Sequence, residues 1–163
     1  MPVVLEPYDS RWPAAFVAER ALLADVLAPW LAGPIEHVGS TAVPGLAAKP
    51  VIDIMAAVES LDASRGAIDA VRDAGYCYFP YKPDVMHWFC KPGEHVRTHH
   101  LNLVPYASAL WRDRLAFRDA LRSDRKLAAE YAALKRELAI VHREDREAYT
   151  EAKTGFITSA LSP

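Results

Sequence analysis

The sequence predicts an α+β fold, in which a small mixed β-sheet is flanked by helices and followed by a C-terminal helical segment. Three observations support this: an opening stretch with helical spacing, a central group of short apolar runs, and a final third with helical periodicity throughout. Strands and helices are segregated rather than alternating, so a doubly wound sheet is not expected. We find no linker or repeat, and a single domain over residues 1–163 is predicted.

A helix is predicted first, over residues 10–31. Asp9 or Ser10 can cap it, and Pro13 fits its first turn. Its apolar positions recur at helical spacing: Trp12, Phe16, Leu23, Leu27 and Trp30. The Ala-Gly-Pro run at 32–34 is expected to end it. A short strand at 35–38 and a loop at 41–49 with at most one helical turn should follow.

The most apolar predicted strand covers residues 51–58 and contains Asp53. A buried carboxylate is costly unless it is paired, hydrogen-bonded or bound to a metal. Asp53 is therefore the first functional candidate. The structural alternative is that it caps a backbone segment or pairs with an arginine.

The rest of the chain is predicted to form one more helix, three strands and a helical tail. A helix over 61–74 stops at Gly75, and strands follow at 76–79, 86–91 and 98–104. The last elements are a helix over 108–122, a helix carrying apolar positions from 127 to 141, and a helix from about residue 145.

Side-chain alternation predicts which strand residues share a face. If the isoleucines beside it face the core, Asp53 lies with Met55 on the opposite face. The same rule puts His100 and Asn102 together on the last strand. If these two strands are neighbours, Asp53, His100 and Asn102 meet beside the Gly-Ser turn that follows the first strand.

That turn, Gly39-Ser40, suits phosphate binding. Glycine lets backbone N–H groups approach an anion closely, and the serine hydroxyl adds a donor. Lys49 could add positive charge, and a carboxylate on the next strand can hold Mg²⁺ against phosphate oxygens. The alternative is an ordinary turn, which is what most such dipeptides form.

Several stretches together resemble the GrpB family. They are residues 8–13, 37–46, 49–54, 97–103, 115–119, 131–135 and 145–153. The resemblance covers nearly the whole chain. The family in turn resembles the nucleotidyltransferase superfamily, whose members share the DNA polymerase beta-type catalytic fold.

The resemblance implies a domain that binds a nucleoside triphosphate with Mg²⁺ or Mn²⁺ and transfers a nucleotidyl group to an acceptor. It implies Asp53 as metal ligand and catalytic residue, and His100 as a base or orienting group. The implied phosphate-binding residues are Gly39, Ser40, Thr41, Lys49 and Lys153. Further site-lining residues would be His37, Asn102, Arg118, Lys135 and Tyr149. Lys153 lies on an inward-facing stripe between Tyr149 and Phe156, where it needs a partner such as a ligand phosphate or Asp53.

The sequence departs from the nucleotidyltransferase pattern at two of three expected carboxylates. Met55 stands where the second acid belongs, and His100 or Asn102 where the third belongs. An alternative is therefore a catalytically degenerate domain that binds a nucleotide, a coenzyme or a partner protein. Family members fused to a dephospho-coenzyme A kinase make a link to coenzyme A one such possibility. A third hypothesis is single-metal phosphate chemistry with Asp53 and histidines.

Composition and charge limit the remaining classes of function and location. A net charge of −2 gives no global basic field, so nucleic-acid binding is not favoured. The chain lacks a signal-peptide pattern and an apolar run of membrane length, so we expect a cytoplasmic protein without membrane contact. His87, His95, His99 and His100 cluster without an HExxH motif, and adjacent strand histidines point to opposite faces.

Overall fold

A computed structural model describes residues 4–161 and confirms the α+β class. Residues 1–3 and 162–163 of the predicted domain lie outside the described part. The elements in chain order are α1 (Trp12–Val26), β1 (Leu31–Val38), a 3₁₀ turn (Ser40–Ala42), β2 (Ile52–Val58), α2 (Gly66–Asp73), β3 (Cys77–Phe79), β4 (His87–Pro92), β5 (Arg97–Pro105), α3 (Ala109–Ser123), α4 (Arg125–Val141) and α5 (Arg146–Leu161). The predicted C-terminal helical segment is therefore present as α3, α4 and α5.

The five strands form one mixed sheet in the order β1-β2-β5-β4-β3. β2 and β5 pair in parallel at its centre, and the other neighbours pair antiparallel. The parallel register sets Asp53 opposite His100 and Met55 opposite Asn102. The predicted adjacency of these two strands is thereby confirmed.

The two faces of the sheet are covered differently. On one face, Ile52, Ile54, Leu101 and Leu103 pack with α1 and α2 in the largest apolar cluster. On the other, Met55 and its neighbours pack against Trp111 of α3. A third cluster joins the loop after the 3₁₀ turn to the C-terminal helices through Val43, Leu46, Leu121, Tyr131 and Phe156. The second face is therefore only partly covered, because the C-terminal helices also pack against the loop.

The first helix ends earlier than predicted. It stops at Val26, and Leu31 already belongs to β1. Pro29 disfavours helical backbone at the residue before it, which limits the helix despite the apolar spacing that continues to Trp30. The Ala-Gly-Pro run lies inside β1 instead of ending a helix. Pro34 is tolerated there because β1 is an edge strand with an irregular register between Leu31 and Ile35.

Two further boundaries differ from prediction. α2 begins at Gly66 because the preceding residues form turns in which Ser60 Oγ accepts from the Ala63 amide and Ser64 Oγ donates to the Ser60 carbonyl. At the start of α1, no side chain caps the helix. The Asp9 carboxylate instead accepts from the Arg11 amide at 2.8 Å.

Candidate functional site

A cleft of about 980 Å³ separates the sheet from the C-terminal helices. Its floor carries Asp53, His100 and Asn102, and Gly39-Ser40 forms one edge. α3, α4 and α5 contribute the opposite wall. This volume is at the upper end of the range of small-molecule sites, which is roughly 300–1,000 Å³.

Asp53 and His100 form a hydrogen-bonded pair on the cleft floor. His100 Nδ1 lies 3.1 Å from Asp53 Oδ1, and the Asp53 side chain remains 34% exposed to the cleft. Burial alone would raise the pKa of Asp53. The hydrogen bond from His100 and the charges of Lys49 and Arg114 outweigh it, so its pKa lies below the usual value. Asp53 is therefore an ionised carboxylate at the base of the cleft.

Gly39 allows the turn to lie directly against this carboxylate. Its φ is 73°, and a Cβ added there would lie 2.5 Å from Asp53 Oδ2. Only glycine combines this backbone conformation with such a close approach. Ser40 and Tyr131 both line the cleft, so the turn and α4 contribute to the same site.

Three lysines gather at the wall facing the turn. The amines of Lys49 and Lys153 lie 5.1 and 4.6 Å from the ring centroid of Tyr149. Lys135 is 1% exposed and donates to the Ala47 carbonyl at 2.5 Å. Within residues 4–161, none of the three forms an ion pair with a carboxylate.

The lysine cluster has depressed pKa values. Burial, together with repulsion from the other lysines, lowers the pKa of Lys135 to about 7 and that of Lys153 to about 8. The pKa of Lys49 is lowered by burial and by the charges of Arg146 and Arg97, against the attraction of Asp53. An anionic ligand would relieve this repulsion and raise these pKa values.

The remaining predicted residues differ in their positions. Arg118 lines the cleft, but its Nη1 donates to Glu36 Oε2 at 2.6 Å and to the His37 carbonyl at 3.1 Å. His37 does not line the cleft. Its ring stacks on Phe16 at 4.8 Å, and its Nε2 lies 2.9 Å from Thr41 Oγ1.

His37 therefore positions Thr41 and does not face a ligand. Burial lowers the pKa of His37 to about 4, which keeps the imidazole neutral. Thr41 is itself buried and donates to the Val51 carbonyl at 3.2 Å, although part of it reaches the cleft edge. Both residues thus stabilise the turn that carries Gly39 and Ser40.

Three buried polar atoms of cleft residues have no hydrogen-bond partner in the described part of the chain. They are His100 Nε2, Asn102 Oδ1 and the Tyr149 hydroxyl. Asn102 does use its amide nitrogen, which donates to the Ile54 carbonyl at 3.4 Å. Buried polar groups without partners are uncommon, and their concentration here is typical of a site that a ligand or water completes.

Arginines that the sequence prediction missed also line the cleft: Arg97, Arg114 and Arg146. Arg114 faces Asp53 from α3, and its Nη2 donates to Met86 Sδ at 3.9 Å. Its spacing of three residues from buried Trp111 is a helical-face signal that could have identified it. Arg97 and Arg146 lie at the starts of β5 and α5, where no periodicity predicts the side-chain direction.

The donor set does not fit a two-metal site. Met55 is fully buried in an apolar cluster, and its thioether is a poor ligand for Mg²⁺. Asn102 uses its amide nitrogen on the backbone. Among residues 4–161, no group of three His, Cys, Asp or Glu side chains could hold a metal ion.

The clustered histidines are separated in space. His99 points to the opposite face of the sheet, where its Nε2 lies 3.8 Å from Glu19 Oε2. His87 bonds to the Leu61 carbonyl, and His95 is exposed. The opposite directions predicted for the side chains of His99 and His100 are confirmed.

Comparison with known proteins assigns the family. The model of the family described as GrpB protein matches residues 2–162. The chain belongs to the GrpB family. It is 40% identical over 161 residues to a UPF0157 protein of Pseudomonas aeruginosa, covering 95% of this chain and 64% of that relative. It therefore spans somewhat less than two thirds of that protein's length.

A solved structure and part of a longer protein are also similar to this chain. The crystal structure of conserved protein GrpB from Enterococcus faecalis is similar with a TM-score of 0.85 and 30% identity, covering 96% of this chain and 94% of that chain. A dephospho-CoA kinase of Mycolicibacterium paratuberculosis is 30% identical over 188 residues, covering 98% of this chain and 45% of the kinase. Within the described residues, no helix has the length and apolar character needed to span a membrane.

Proposed function

We propose that this GrpB-family domain binds a nucleoside triphosphate, with the phosphates held between the Gly39-Ser40 turn and the three lysines. The observation that carries the proposal is the lysine cluster itself. Among residues 4–161, three partly or fully buried amines face one cleft without a carboxylate partner, although buried charges are normally paired. A chain of net charge −2 concentrates positive charge here, which favours an anionic ligand.

The same cleft also carries aromatic side chains that support a ligand with a planar ring. Tyr81 and Trp88 line it, with ring centroids 6.1 Å apart, and Phe79 packs against Trp88 at 6.0 Å. Aromatic side chains of this kind stack on nucleobases with little sequence preference. The lysines and these aromatic side chains together favour a nucleotide over inorganic polyphosphate.

A second candidate function is nucleotidyl transfer, favoured by the ionised Asp53 beside Gly39. In this proposal Asp53 would contribute one carboxylate to a single Mg²⁺ or Mn²⁺ shared with the ligand phosphates. His100 would hold the carboxylate in position through its Nδ1–H. The lysines and Arg114 would supply the positive charge that carboxylate-bound metals supply in a two-metal site.

The ligand class includes coenzyme A precursors. A relative named dephospho-CoA kinase contains a region similar to this chain, which makes dephospho-coenzyme A a reasonable ligand to test. It carries an adenine ring and a diphosphate, which match the aromatic and cationic side chains of the cleft. A domain that serves only as a binding module would bind it without turnover.

The test is a thermal-melting panel with the four nucleoside triphosphates, tripolyphosphate and dephospho-coenzyme A, each with and without Mg²⁺. A ligand that binds the native state raises the melting temperature by mass action. We expect at least one nucleotide to stabilise the wild type. Lys153→Met should weaken its affinity about tenfold, because a charge-assisted phosphate contact is lost.

Lys126→Met is the matched control, since Lys126 is exposed on α4 and lies outside the cleft. It removes the same charge and should leave affinity unchanged. Equal weakening by both substitutions, or no stabilisation of the wild type by any ligand, would refute the proposal. Asp53→Asn separates the two candidates: loss of Mg²⁺-dependent binding supports transfer, whereas unchanged binding supports a binding module.

A further inference from the structure

Two arginines at the edge of the cleft are not used by the proposed triphosphate site. Arg97 begins β5 and Arg146 begins α5, and both side chains line the cleft. They are close enough that the charge of Arg97 lowers the pKa of Arg146, after burial as the larger cause. Two like charges have thus been brought together from distant parts of the chain.

Neither guanidinium has a carboxylate partner within residues 4–161. Glu147 also lines the cleft but forms no ion pair with either arginine. Adjacent arginines without a counter-charge destabilise a protein unless an anion completes them. The lysine cluster likewise consists of like charges without a carboxylate partner among residues 4–161, so the two arginines repeat this arrangement at a second place.

Arg97 is held in a fixed orientation. Its Nε donates to the Glu94 carbonyl at 2.8 Å, and its guanidinium lies 5.1 Å from the ring centroid of Trp88. Within residues 4–161, no hydrogen bond or ion pair occupies the two terminal nitrogens, so both are available to donate. A planar fork with two parallel N–H groups matches a phosphate in bidentate geometry, which an ammonium group does not.

We propose that Arg97 and Arg146 form a second anion subsite, which binds the phosphate group of a phosphorylated second ligand beside the triphosphate. Lys49 also lines the cleft, and its charge interacts with Asp53 and with both arginines. This inference rests on the proposed function for the identity of the first ligand. The second subsite itself requires only an anion.

The test titrates inorganic phosphate into protein already saturated with tripolyphosphate, followed by calorimetry. Tripolyphosphate fills the lysine subsite, so the phosphate that still binds reports the arginine subsite. We expect the Arg97→Gln/Arg146→Gln double variant to weaken phosphate binding by at least about tenfold and to keep its tripolyphosphate affinity. Arg125→Gln/Arg136→Gln, at exposed positions of α4, is the control with the same change in charge.

Each other outcome has a defined meaning. Unchanged phosphate binding in the cleft double variant, or no phosphate binding to the tripolyphosphate-saturated wild type, overturns the second subsite and leaves the proposed function intact. Absence of tripolyphosphate binding, with phosphate binding that depends on both arginines, overturns the proposed function and supports the arginine subsite. Urea midpoints of all variants identify any loss of folding, and Arg97→Lys/Arg146→Lys gives a second variant that keeps the charge without the fork.

Discussion

Charged side chains are buried on both faces of the sheet, but their contacts with opposite charges differ between the two faces. On the face covered by α1, Glu19 accepts from the Tyr76 hydroxyl at 2.7 Å, forms an ion pair with Lys91, and lies 3.8 Å from His99. On the cleft face, Lys49, Lys135 and Lys153 face one another around aromatic rings without any carboxylate partner in the described chain.

This difference distinguishes charged residues that stabilise the fold from charged residues that bind a ligand. Removing one member of a paired buried cluster leaves the others uncompensated, so such clusters resist substitution. An unpaired cluster has the opposite property: the free protein is more stable without it, and only a ligand gives it a favourable role. The sign of a stability change therefore distinguishes the two faces.

The largest expected effect is on the closed face. Glu19→Ala should lower the free energy of unfolding by about 3 kcal/mol, because Lys91 and the Tyr76 hydroxyl lose their partner in a mostly buried position. Urea denaturation at pH 7 measures this. Glu59→Ala, at an exposed site, should change stability by less than about 0.5 kcal/mol.

A double substitution shows whether charge pairing is the cause. Glu19→Met/Lys91→Met should recover more than half of the loss, because it removes both charges together. Failure to recover would mean that packing, rather than pairing, makes the closed face sensitive. Ligand affinity at the cleft should be the same in all these variants.

The second effect concerns the turn on the cleft face. Gly39→Ala should cost about 2 kcal/mol, since its φ of 73° is strained for alanine and the new Cβ would meet Asp53 Oδ2. Gly45→Ala is the matched control: its φ is 83°, but a Cβ there has nothing within 4 Å, so only the backbone cost of about 1 kcal/mol applies. Thermal melting and ligand titration of both variants test this.

The outcome that contradicts this account is equal loss in the two glycine variants. It would mean that the close approach of the turn to Asp53 has no energetic importance. Gly39→Ala/Asp53→Ala gives a further check, because truncating the carboxylate should remove the 2.5 Å contact with Oδ2 and leave the backbone cost and the 3.0 Å contact with the Cβ of residue 53.

Much of the floor of the cleft could be predicted from sequence, because strand alternation is strictly local. Placing apolar neighbours in the core forced Asp53 and His100 onto one face, and the parallel register then joined them. Lys153 was also predicted to point inward, from its position between Tyr149 and Phe156. Helical and strand periods carry this information without knowledge of the tertiary structure.

The arginines could not be predicted in the same way. Arg97 and Arg146 lie at element ends, where neither period determines the side-chain direction, and they meet only because α5 packs across the cleft. His37 shows the opposite error, since a polar residue beside the turn was expected in the site but stacks on Phe16 of α1. The positions of the two arginines and of His37 depend on packing between elements that are distant in sequence.

The third effect is a pH dependence confined to the cleft face. The folded-state pKa values of Lys135 and Lys153, about 7 and about 8, lie below the unfolded value of 10.5. Between these limits the unfolded chain binds more protons, so stability rises with pH from about 7 to about 10.5. The destabilisation caused by burying these two protonated lysines is fully present below pH 7.

Comparison of the wild type with Lys135→Met/Lys153→Met isolates this contribution. The stability difference between the two proteins should change by about 1 kcal/mol between pH 6.5 and pH 7.5, in favour of the wild type as pH rises. Urea midpoints at each pH give the measurement. A difference that stays constant across this range would show that both lysines remain protonated in the folded protein.

The smallest expected effect tests most directly whether buried charge differs in its role between the two faces of the sheet. Lys153→Met should leave the free energy of unfolding unchanged or raise it by up to about 1 kcal/mol at pH 7, because it removes an unpaired charge and keeps the apolar part of the side chain against Tyr149. Glu19→Ala also removes one charge, in α1 on the other side of the sheet, but it should lower the free energy of unfolding. If Lys153→Met destabilised the ligand-free protein by as much as Glu19→Ala, the lysines would be structural, and the reason for placing a ligand against them would be lost.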